Sequence, residues 1–141
     1  MKLLTSFTLI ATLATTAAAE APPAPAPAPP AKRVEVSKAD GEKFMAFFNK
    51  LVGAIVQNKE DCPKMASAVT VVIDANVAML KKTNEQKAAG KRLPKALEDK
   101  MMARVKDEML PAMQKCGGDK DVQAALARME NPGAPAPKPA K

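Results

Sequence analysis

The chain has no histidine, no tryptophan and no tyrosine, and only four phenylalanines in 141 residues. Without imidazole there is no usual base for a serine or cysteine nucleophile, and no His ligand for zinc or haem. The two cysteines, Cys62 and Cys116, form no Cys-x-x-Cys motif, which argues against a redox or metal pair. Beyond residue 19 there are two serines. Ser37 reads as a helix cap, and Ser67 follows Lys64 in the reverse of the Ser-x-x-Lys order. The carboxylates are scattered or sit near helix starts, where the helix dipole explains them. These absences predict a protein that is not an enzyme and needs no cofactor.

Scarcity of aromatics also bears on the formal net charge of +7. Three phenylalanines in one apolar stripe are no platform for stacked bases, so nucleic acid is not the expected partner. Attraction to an anionic surface or an acidic protein partner is.

The N-terminus carries Met1-Lys2, an apolar run from Leu3 to Ala14, and the small residues Ala17-Ala18-Ala19. This is the layout of a signal peptide over residues 1–19, with cleavage leaving Glu20 first. The run is too short for the roughly 20 residues of a spanning helix, so no transmembrane segment is expected after cleavage. A bacterial periplasmic or secreted location follows. Residues 20–35 form a Pro/Ala-rich spacer, with six prolines among the eleven residues from Ala21 to Ala31. Such composition favours polyproline II, on the order of 30 Å long at roughly 3.1 Å per residue. Residues 132–141, PGAPAPKPAK, repeat the style with two lysines and read as a disordered tail.

Residues 36–131 remain for one small all-α domain, since Ala, Lys, Met, Leu and Val dominate. The spacing predicts four helices. The first follows the Ser37 cap and carries Phe44, Phe47, Phe48, Leu51, Val52, Ile55 and Val56 on one stripe. Asp61 caps the second, with Pro63 in its first turn, and nothing stops that helix before Gly90, a left-handed C-cap. The third begins at Pro94 and places Leu97, Met101, Met102, Val105, Met109, Ala112, Met113 and Cys116 on one side, with Pro111 set to kink or split it. Asp119 caps a short fourth helix.

Cys62 falls at the start of the second helix and Cys116 at the end of the third. If those helices form an antiparallel hairpin, the two thiols meet. In an oxidising compartment a Cys62–Cys116 disulfide is the default, so the fold expected is a small four-helix bundle whose hairpin is closed by one disulfide.

Three polar or soft groups stand out. Asn76 lies in the second helix's apolar stripe, where a buried amide fixes register or contacts a ligand. Met101, Met109 and Met113 share a helix face, and thioethers at i, i+4 suit Cu(I), although Met is also an adaptable core filler. The tip joining helices two and three is basic, with Lys81, Lys82, Lys87, Lys91, Arg92 and Lys95 against one acid, Glu85. Asp74 reads as solvated.

The layout resembles small periplasmic acid-stress chaperones, exported helical chains with one disulfide whose second Cys precedes an Asp-Lys pair and a further helix. Here those residues are Cys62, Cys116, Asp119 and Lys120, and the Met-rich third helix lies outside the resemblance. The function expected is an exported, non-enzymatic binding or chaperone-like module of the cell envelope. A Cu(I)-binding protein and a structural envelope protein are the alternatives.

Overall fold

The computed structural model describes residues 34–135. The signal peptide, most of the Pro/Ala spacer and residues 136–141 lie outside the described residues.

Ser37 begins the fold as a cap, its Oγ accepting the Asp40 N–H at 3.1 Å. Helix α1, Lys38–Gln57, buries Phe47, Phe48, Leu51, Val52 and Ile55, residues spaced by one, three or four along a single stripe. It ends where the Asn58 amide donates back to the Ala54 carbonyl at 2.8 Å. Asp61 then accepts the Lys64 N–H at 3.1 Å, and α2, Cys62–Asp74, starts with proline in its first turn.

The expected single helix from Cys62 to Gly90 is two helices. α2 stops at Asp74, and α3, Val77–Ala88, leaves it at a bend of 76°. Asn76 supplies the local cause. Its Nδ2 donates to the Val72 carbonyl at 2.7 Å, taking the acceptor that its own backbone N–H would use in a continuous helix. That N–H goes instead to the Ile73 carbonyl at 2.9 Å, a tightened turn. The bend lets Ile73 and Leu80 both enter the core.

Helix α4, Lys95–Arg104, runs into a π-helical stretch, Val105–Met109, and then into α5, Leu110–Met113. Pro111 explains the widened turn, because it lacks an N–H and crowds the carbonyl four residues back. The helix is re-wound ahead of the proline rather than broken at it. Met102, read on the apolar side of this helix, is turned out and 60% exposed, so that side is narrower than expected. Asp119 Oδ1 accepts the N–H groups of Asp121 and Val122, and α6, Lys120–Ala127, follows.

Counting Lys95–Met113 as one rod, the described residues hold five helical rods where four helices were expected. α1 packs against every other helix except α6, which packs on α2 alone. The core joins Phe47, Leu51 and Ile55 of α1 to Met65, Val69 and Ile73 of α2, with Leu80, Cys116, Val122 and Ala125 closing it. The Cys62–Cys116 disulfide is present, with its Cα atoms 5.2 Å apart, but the antiparallel hairpin expected around it is not: α2 packs on α1, α3 and α6 rather than on the Lys95–Met113 rod, and Cys116 lies in the turn beyond Met113.

The packed chain continues past Asn131. Pro132 is buried, Arg128 Nε donates to the Ala134 carbonyl at 3.0 Å, and Asn84 of α3 donates to the carbonyls of Met129 and Glu130. Asp74, read as solvated, is the ion-pair partner of Arg128.

Candidate functional site

α3 touches α1 and α2 but not α4. Two short features keep α3 and α4 apart while joining them. Gly90, at φ 76°, ends α3: the Lys91 N–H reaches the Gln86 carbonyl and the Gly90 N–H reaches the Lys87 carbonyl, a Schellman cap. The chain then pairs with the segment before α1, Arg92 N–H donating to Val34 and Val36 N–H to Arg92. Between these elements lies a cleft of about 620 Å³.

Its apolar lining comes from Val36, Phe44, Leu93 and Met101. Three cations line it as well, Lys87 from the end of α3 and Lys91 and Arg92 from the connection. Thr83 and Gln86 add neutral polar groups, and Asp40 and Glu98 are its carboxylates. Asp40 is committed elsewhere. It accepts from Lys82 Nζ at 2.7 Å and from Gln86 Nε2 at 2.9 Å, tying α1 to α3. Hydrogen bonds from Lys82, then Gln86 and Ser37, hold its pKa down at about 2. Glu98 is likewise engaged in a contact of its own. Lys87, Lys91 and Arg92 have no carboxylate partner among the described residues. The cleft is therefore net positive over an apolar floor.

The basic tip read from the sequence is thus divided. Lys82 belongs to Asp40, and Lys95 pairs with Asp99 at 2.8 Å. Lys81 lies on another face, beside Asn84, Glu130 and Pro132. Asn76 takes no part in the lining, because its amide is spent on the Val72 carbonyl. Of the three methionines singled out for soft-metal binding, Met101 stands apart from Met109 and Met113. Met101 lines the cleft, while Met109 and Met113 pack against the core. Eight residues of helix place Met101 about 12 Å from Met109 along the axis.

Sequence reasoning missed the pairing of Val34 and Val36 with Arg92, which no pattern in those residues signals. It also missed that Phe44, first of the α1 stripe, faces this cleft. A second depression, between α1 and α2, is nearly flat and lined by Gly53, Ala54, Ala68 and the exposed Val71, with Lys50 as its one cation. No single helix among the described residues is long and apolar enough to cross a membrane. Compared with protein-family models, curated proteins and solved structures, the chain matches none.

Proposed function

We propose that this chain is a non-enzymatic binding module of the bacterial cell envelope, exported by a signal peptide cleaved after Ala19, that holds an anionic partner in the α3–α4 cleft. The observation that carries the reading is the set of three cations, Lys87, Lys91 and Arg92, gathered in one cleft without carboxylate partners among the described residues. Unpaired cations beside a low-dielectric wall attract anions more strongly than the same charges on an open surface. In this reading the Pro/Ala segment is a spacer and the disulfide holds the domain together outside the cytoplasm.

The test is association with an anionic probe, heparin or inorganic phosphate, measured by calorimetry against salt. The variant K87E/K91E/R92E should lose binding, while K50E/K106E/K120E, equal in charge but on exposed residues outside the cleft, should keep most of it. Equal losses in the two variants would mean that net charge, and not the cleft, attracts the probe. A mature mass starting anywhere other than near Glu20 would count against export. The packing of Met109 and Met113 against the core does not favour the Cu(I) alternative, though stoichiometric Cu(I) uptake abolished by M109L/M113L would restore it.

A further inference from the structure

We infer that the ligand of the cleft is a single-chain anionic amphiphile, a fatty-acid-type carboxylate whose head meets Lys87, Lys91 and Arg92 and whose chain lies over Phe44, Leu93 and Met101. This rests on the reading of the cleft as an anion site and specifies what else the anion must carry.

Two chemistries meet in the cleft, and a ligand must answer both. A compact anion such as phosphate would satisfy the cations and leave the floor of Phe44, Leu93 and Met101 in water. An uncharged apolar ligand would leave three cations against two carboxylates, Asp40 and Glu98, of which Asp40 is already paired with Lys82. The volume, about 620 Å³, lies within the roughly 300–1,000 Å³ typical of small-ligand pockets. A protein partner calls for a wider surface, on the order of 1,000 Å² buried in total, with large apolar anchors at its centre. The large apolar side chains exposed on the described surface are Val34, Val71, Met102 and Leu110, and none of them lines the cleft. Charge complementarity and the size of the apolar floor therefore select a small molecule with one acidic head and one flexible chain. The carboxylate suits the head because Arg92 can bind it through two parallel N–H groups.

The test is a ¹⁵N–¹H titration of the purified chain with dodecanoate below its micelle concentration, alongside octanoate, acetate, dodecyltrimethylammonium and phosphatidylglycerol vesicles. Dodecanoate should give saturable shifts confined to residues 34–44 and 83–101. Each added methylene should tighten binding about fourfold. K87E/K91E/R92E should weaken dodecanoate at least tenfold, and M101Q should weaken dodecanoate more than it weakens acetate. Equal affinity for acetate and dodecanoate, with heparin binding still cleft-dependent, would overturn the amphiphile while leaving the anion site intact. Equal affinity for dodecyltrimethylammonium, or binding to vesicles with none to free dodecanoate, would overturn it as well. Heparin binding that survives K87E/K91E/R92E would instead remove the anion site itself.

Discussion

Replacing Asp74 by Ala should damage this domain more than removing the arginine that Asp74 pairs with. Arg128 is 6% exposed, yet its guanidinium has few partners. Nη2 meets Asp74, Nε donates to the Ala134 carbonyl, and Nη1 is buried without a partner among the described residues. The Asp74 side chain is 50% exposed. In D74A the cation stays buried and loses its counter-charge, a change that costs about 3–5 kcal/mol at a fully buried pair. Water already reaches one side of this pair, so about 2 kcal/mol is the expected loss. In R128M the apolar stem is kept, Asp74 hydrates, and one hydrogen bond to Ala134 is lost, for a cost of about 1 kcal/mol or less. At about 4–8 °C per kcal/mol for a domain of this size, D74A should lower the melting temperature by about 10 °C, and R128M by half that or less. Adding R128M to D74A should restore much of what D74A loses, because the stranded cation goes with it. Thermal melts followed by circular dichroism decide the matter. An R128M loss larger than that of D74A, or a double variant showing the sum of the two losses, would refute the reasoning.

Other outcomes follow from the same packing. C62A/C116A opens a link between residues 54 apart and should cost about 4 kcal/mol in a chain-entropy account, read as a lower urea midpoint. Asp40, held at about 2 by Lys82, should titrate well below an ordinary aspartate in a carboxyl-detected NMR series, and K82M should move its midpoint upward. Because the folded pKa is the lower one, the α1–α3 link contributes fully above the unfolded value and fades as the pH falls towards 2. Gly90 sits at φ 76°, so G90A should cost about 1 kcal/mol and weaken anion binding by displacing Lys91. Unchanged binding with reduced stability would show that Lys91 does not depend on that turn.

Helix starts were the most legible part of the sequence, because a cap is a local event. Ser37, Asp61 and Asp119 each accept backbone N–H groups within three residues, as their spacing implied. The pairing of Cys62 with Cys116 was legible too, although not by the hairpin expected to bring it about, since α2 does not pack on the Lys95–Met113 rod and Cys116 sits in the turn after it. Non-local polar contacts were not. Nothing in the sequence marks Arg128, which Asp74, 54 residues away, and Ala134 close round. The basic tip was visible as composition, but composition cannot say that Asp40 would claim Lys82 and Asp99 would claim Lys95. Only pairing across the fold separates the three cleft cations from the rest.

The break at Asn76 is where a polar residue in an apolar stripe was read correctly as informative and wrongly as mid-helical. An asparagine there has two ways to satisfy its amide. A partner on another helix would leave the helix straight, whereas the carbonyl four residues back turns it. The second holds, and α3 leaves α2 at a bend of 76°, with Lys87 and Phe44 lining one cleft. Asn76 thus positions the site without touching it. N76A removes the amide that competes for Val72 and should cost about 1 kcal/mol. If the amide sets the bend, the Val72 carbonyl returns to the backbone N–H of residue 76 and α3 swings. Chemical shifts of Lys87, Lys91 and Arg92 would then move although they lie far along the chain. S37A should cost about the same through its lost cap, yet leave those shifts in place. Should N76A lower stability while the shifts stay fixed, the bend is imposed by burial of Ile73 and Leu80, and the amide merely follows it.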